Sequence, residues 1–225
     1  MKSKSVLSVL LVAVAGSAAY ADGDGDIAIG NWGGVIVTGI GSDAPGAPPP
    51  VFPERVFGAE LIDFDGLGTI AIDEPGFLGP FGDGFDVGQQ LFMANVAAAR
   101  VWDGSTFVAT DHTIESSYLS ATVSTADTTP LLIVNDASQD FDDHAINVLL
   151  GAGGTAPSAG IYLQEIEISG PGLTTSETVF IVYNYGFDDA IHDAAIEYVE
   201  DVLVPAPGSL ALLGMTGLIA TRRRR

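Results

Sequence analysis

Between residues 26 and 184 the apolar residues come in short bursts, each closed by glycine, proline or aspartate. That is the signature of short β-strands separated by turns rather than of helices with 3.6-residue spacing. Ile27 and Ile29 alternate with small residues, and Val35-Ile36-Val37 follows Gly33-Gly34, which predicts a first hairpin. Residues 41–53 hold five prolines and predict a linker between that hairpin and the rest. Apolar-rich runs at 55–62 and 67–72 flank the turn sequence Asp63-Phe64-Asp65-Gly66. Residues 75–88 read as a glycine-rich loop whose Phe77, Phe81 and Phe85 pack back onto the body. Asp103-Gly104 between two β-rich runs predicts a tight hairpin over 100–108, because both turn positions need positive φ. Further strands are expected at 114–124, 131–134, 145–150, 161–168 and 179–184. Within 161–168 the alternation changes phase near Gln164, which predicts a bulge there.

One helix is expected, over residues 188–203. Asp188-Asp189 supplies a cap and a charge suited to a helix start, and Ile191, Ala195, Tyr198 and Val202 follow at helical spacing. No βαβ alternation is visible. The fold class expected is all-β: an antiparallel, jelly-roll-like sandwich over residues 22–187, followed by that helix.

Charge sharpens the picture. All 29 acidic residues of the chain lie between Asp22 and Asp201, a stretch whose only basic residues are Arg55 and Arg100. So acidic a body repels nucleic acid and anionic lipid, so nucleic-acid binding is excluded. There is no cysteine, which removes thiol catalysis, cysteine-ligated metals and disulfides together.

The remaining basic residues sit in the two ends. Lys2 and Lys4 precede an apolar run from Val6 to Ala15, and Ala19-Tyr20-Ala21 precedes Asp22-Gly23-Asp24. A positive start, an apolar segment shorter than the ~20 residues of a membrane span, and a small-x-small site predict a signal peptide cleaved after Ala21. At the other end Val204-Pro205-Ala206-Pro207-Gly208 leads into an uncharged run from Ser209 to Ala220, then Thr221 and Arg222, Arg223, Arg224 and Arg225. The prolines break the preceding element. The run would rise only about 18–20 Å as a short transmembrane helix, and the arginines would hold its tip on the cytoplasmic side.

Breaker motif, short apolar helix and basic cluster in that order resemble the PEP-CTERM sorting tail of exported bacterial proteins, over about the last 21 residues. Here alanine, Ala206, stands where the usual motif has its central glutamate. The resemblance implies processing by signal peptidase and by an exosortase-type membrane transpeptidase acting near residues 205–208. The chain would be held transiently at the inner membrane, then delivered to the cell surface or extracellular matrix in company with extracellular polysaccharide. The all-β body is similar to those that accompany such tails in planctomycete-type bacteria, which implies no particular activity.

Candidate chemistry is sparse. Asp22, Asp24 and Asp26 have the alternate spacing that clusters oxygen ligands for Ca²⁺, but the glycine and glutamate of an EF-hand loop are missing. Asp140, Asp142 and Asp143 form a second acidic group, and Asp83 and Asp86 a third. His112, His144 and His192 each neighbour an aspartate, but adjacent strand residues point to opposite faces, and no zinc-binding spacing occurs. Glu165 and Glu167 loosely match a glycosidase carboxylate pair, with a charged strand edge as the simpler reading. No nucleophile elbow or phosphate loop is present. The expectation is therefore an exported, non-catalytic protein needing no cofactor. The alternative is a carbohydrate-binding or Ca²⁺-dependent adhesive module that uses Trp32, Trp102 and Tyr118 as stacking surfaces.

Overall fold

The computed structural model describes residues 25–42, 44–79 and 84–204. The signal-like segment, the tail-like segment beyond Val204, Asp22, Asp24, Phe81 and Asp83 lie outside the described residues. The body is mostly β-sheet with a single α-helix, and most of its strand pairs are antiparallel.

The first sheet joins β1 (Asp26–Asn31) and β2 (Ile36–Gly41) as the expected hairpin. On its other side β1 runs parallel to β6 (Phe77–Gly79), which pairs antiparallel with β13 (Phe141–Asp143). The second sheet has the order β11 (Ala121–Ser124), β10 (Thr113–Tyr118), β14 (Ile146–Leu150), β5 (Ile70–Ile72) and β4 (Ile62–Asp63). The third runs β12 (Leu131–Val134), β7 (Leu91–Asn95), β15 (Gly160–Ser169), β16 (Val179–Tyr185) and β3 (Val56–Glu60), the last pair parallel. The hairpin of β8 (Arg100–Trp102) and β9 (Phe107–Ala109) attaches to the third sheet through β15. The expected hairpin is present, but its loop is four residues, 103–106, and Gly104 at φ 100° has positive φ while Asp103 does not; Asp103 instead accepts from the backbone N–H groups of Ser105 and Thr106.

A single apolar cluster draws side chains from all three sheets, among them Ile27 and Ile36, Ile114 and Leu149, and Leu91, Ile166 and Tyr183. A second lies on the other face of the third sheet, where Val56, Ile161, Leu163, Phe180 and Val182 meet Ala195, Ile196 and Val199. Those last three belong to α1 (Asp189–Tyr198) and the π-turn that continues it, Val199–Leu203. Asp188 caps the helix, its side chain accepting from the Ile191 N–H at 3.1 Å. The π-turn widens the spacing, so Val199 is buried whereas Val202, expected on the inner face, is 58% exposed.

Four further expectations are corrected. β15 pairs with β16 in unbroken register from Gly160 to Ile166, so there is no bulge at Gln164. The phase change arises because α1 covers the face carrying Ile161 and Leu163, so the first half of the strand is apolar on both sides. The register irregularity falls instead between Leu132 and Val134.

Residues 114–124 form a hairpin, β10 with β11, rather than one strand. Its two-residue loop holds Leu119 at φ 53° and exposes it, with no glycine to signal the turn. The proline-rich stretch folds back as a strap on the outer edge of β2. Val51 exchanges both backbone hydrogen bonds with Ile40, and the Glu54 N–H reaches the Thr38 carbonyl. A Cβ on Gly39 would sit 2.5 Å from the Val51 carbonyl oxygen, so glycine permits this approach. Finally, the glycine-rich loop contributes β6, whose Phe77 is core, and Phe85 is buried as well.

Candidate functional site

The first sheet brings two distant acidic segments to one place. Ile27 of β1 and Asp143 of β13 both stand opposite Phe77 of β6, so one step outward Asp26, Gly76 and His144 lie in a row. The Gly76 N–H donates to Asp26 Oδ1 at 2.8 Å and to Glu74 Oε2 at 3.1 Å. A Cβ on Gly76 would lie 2.5 Å from His144 Cε1 and 2.8 Å from Asp26 Oδ1. Only glycine at this position lets the imidazole and the carboxylate face each other.

Ligand atoms of Asp26, Glu74 and His144 all fall within 4.8 Å of one another. Asp26 is buried, and the Glu74 side chain is half exposed. His144 is held from both sides. Its Nε2 lies 3.0 Å from Asp142 Oδ1; its Nδ1 lies 3.0 Å from the Asp73 carbonyl oxygen and 3.9 Å from Glu74 Oε2. Burial pushes the Glu74 carboxyl up to about 7, reinforced by the hydrogen bond and negative charge of Asp26 and opposed by the Gly76 N–H and His144. Burial would lower the His144 pKa, but the Asp73 carbonyl and the charges of Glu74 and Asp142 outweigh it, and the net shift is upward.

Asp26 and Glu74 also line a cleft of about 400 Å³, together with Ser42, Glu60, Ile72 and Pro75. Glu60 accepts from Asn184 Nδ2 at 2.9 Å and lies 3.1 Å from Nδ1 of His192, which is buried in α1 with its Nε2 on the Val182 carbonyl. Three carboxylates thus face one cleft, and among the described residues no arginine lines it. Arg55 is paired with Glu177 at 2.7 Å and Arg100 with Glu165 at 2.6 Å. Chemically the arrangement can share a proton among its carboxyls or hold a cation.

The other candidates scatter. Strand alternation sends Asp142 toward His144 and Asp143 toward the Tyr118 hydroxyl, so Asp140, Asp142 and Asp143 do not converge. Asp86 is exposed and accounts for no part of the cluster. Glu165 is taken by Arg100, and Glu167 lies near Thr178. His112 stacks on Tyr162 and meets Ser158. Trp102 packs between Phe107 and Tyr198 of α1, and Tyr118 is half-buried; Trp32, beside Phe52, is 58% exposed. Glu74 was not singled out from sequence. No local signal marked it: Gly76, which allows the close approach, stands after Asp73-Glu74-Pro75 at the start of a glycine-rich stretch.

No protein-family model matches the chain, and no curated protein matches it. Among the described residues no helix is long and apolar enough to cross a membrane.

Proposed function

We propose that the chain is an exported, non-catalytic protein of the cell surface or extracellular matrix, sorted through a PEP-CTERM-like tail. Its body would be a jelly-roll-like sandwich between a cleaved signal helix and a short transmembrane helix. The observation that carries this reading is the order of features in residues 204–225: Pro205-Ala206-Pro207-Gly208, an uncharged run, then four arginines, in a chain that also has signal-like residues 1–21. The body's form is compatible with such a use. α1 is locked to the third sheet by an apolar face and by His192, so the tail would leave from a firmly held element. Signal peptidase and an exosortase-type transpeptidase would be its processing partners.

Intact mass and cell fractionation of the native protein test it. Loss of residues 1–21 and of everything beyond about residue 208, in a surface or medium fraction, is expected. A membrane-bound species retaining Arg222–Arg225 would make this a plain tail-anchored protein instead. A second reading, an extracellular carbohydrate-binding or Ca²⁺-dependent adhesive module, draws on exposed Trp32 and on the carboxylate-lined cleft. Retention of the secreted form on polysaccharide, lost on Trp32→Ala, would favour it.

A further inference from the structure

We infer that Asp26, Glu74 and His144 form a site for a first-row divalent cation of the Zn²⁺ class, with Asp142 orienting the imidazole. The inference rests on donor geometry alone and does not depend on where the protein resides.

His144 is the deciding residue. Both ring nitrogens face oxygen acceptors: Asp142 on one side, the Asp73 carbonyl and Glu74 on the other. A neutral imidazole has one N–H. Placed on Nε2, it satisfies Asp142, and the Nδ1 lone pair then points at oxygen lone pairs. A second proton on Nδ1 would satisfy the Asp73 carbonyl; a metal ion bound there would in addition join Nδ1 to the carboxylates of Glu74 and Asp26. Histidine bound to metal through one nitrogen while the other donates to a carboxylate is a recurring arrangement that fixes the tautomer and aims the ligand.

Size and donor type choose the ion. A tetrahedral ion with ~2.0–2.2 Å bonds holds its ligands about 3.3–3.6 Å apart. The gap between His144 Nδ1 and Glu74 Oε2 is 3.9 Å, and the three ligand atoms lie within 4.8 Å of one another, so closure asks for shifts of up to about 1.5 Å. Glu74, whose side chain is half exposed, can shift by giving up its hydrogen bond from the Gly76 N–H. Ca²⁺ takes six to eight oxygens at longer range, and this cluster presents a nitrogen and two carboxylates. Imidazole with carboxylate favours Zn²⁺ and its neighbours over Ca²⁺. That redirects the sequence expectation of Ca²⁺, made for Asp26 with Asp22 and Asp24 and for Asp140, Asp142 and Asp143, to a different ion. It also joins one residue of each group in a single site.

The test is calorimetric titration of the full-length chain, carrying no histidine tag and stripped with chelator, with Zn²⁺ and separately with Ca²⁺. One equivalent of Zn²⁺ is expected, bound at least about a hundredfold more tightly than Ca²⁺. Asp142→Asn should weaken Zn²⁺ binding ten- to a hundredfold while leaving every direct ligand in place. Glu74→Gln removes a half-exposed ligand and should weaken it at least as much, with far-UV circular dichroism confirming an unchanged fold. Co²⁺ should give a d–d spectrum that His144→Asn abolishes. No heat with Zn²⁺, equal affinity in Glu74→Gln and the parent, or tighter binding of Ca²⁺ would each overturn the proposal.

Discussion

Five polar side chains lie in the core between the second and third sheets, and their mutual dependence can be measured. Gln164 of β15 is 1% exposed. Its Oε1 accepts from the Tyr183 hydroxyl at 3.0 Å, and its Nε2 donates to Asn95 Oδ1 at 2.8 Å and to Ser116 Oγ at 3.2 Å. Ser116 donates on to Asn147 at 2.7 Å, and Asn147 and Asn95 end on the carbonyls of Ala145 and Ser124. Gln164→Leu keeps much of the volume but strands the Tyr183 hydroxyl and Asn95 Oδ1, both inaccessible to water. At about 1–3 kcal/mol for each orphaned group, the loss should be about 2–6 kcal/mol. Tyr183→Phe alone strands only Gln164 Oε1 and should cost about 1–2 kcal/mol.

The double variant discriminates. Removing the hydroxyl deletes one of the two orphans that Gln164→Leu creates. The pair should therefore be no less stable than Gln164→Leu alone, a departure from additivity of about 1.5 kcal/mol or more. Urea denaturation of the four proteins, with m unchanged across the set, reads this directly. Additivity within about 0.5 kcal/mol would refute the network as a coupled unit. A loss below about 1 kcal/mol for Gln164→Leu would show that these groups find partners elsewhere.

Leu119 sits at φ 53° at the first central position of the β10–β11 turn, where glycine is the usual residue, so Leu119→Gly should raise the urea midpoint by about 0.5–1 kcal/mol of stability; a decrease would mean that the leucine side chain contributes packing. Tyr118 should ionise late: burial pushes its phenol up to about 12, aided by its hydrogen bond to Asp143 and that residue's charge. Because the folded-state pKa is raised, its contribution is complete below about pH 10 and is lost as the pH climbs toward 12. Absorbance titration at alkaline pH should show one tyrosine moving to lower pH in Asp143→Asn, a shift that Tyr118→Phe abolishes.

Much of the β-architecture was legible in the pattern of apolar residues, because period-two alternation and turn chemistry are local properties. The strands at Ile146–Leu150 and Val179–Tyr185 and the Asp188-capped helix sit close to where short-range rules put them, and the hairpin at Asp103-Gly104 forms there too, though with a four-residue loop. The hairpin at Leu119 was hidden because its loop, Leu119-Ser120, carries no glycine, proline, asparagine or aspartate. The phase change at Gln164 was visible but misread. A strand buried on both faces and a bulged strand look alike until the position of α1 is known.

By itself the sequence determined the character of the body: acidic, free of cysteine, built of short strands, with its two arginines far apart. It also carries the ordered features of the two ends, which are legible as linear segments without any fold. The site was decided only by tertiary structure. Asp26, Glu74 and His144 are separated by 48 and 70 positions and share no spacing motif. They meet because β1 and β13 flank the same strand, β6, in matched register, and because Gly76 leaves room between them. Register between strands distant in sequence is set by burial of the whole core, which no local pattern of residues records.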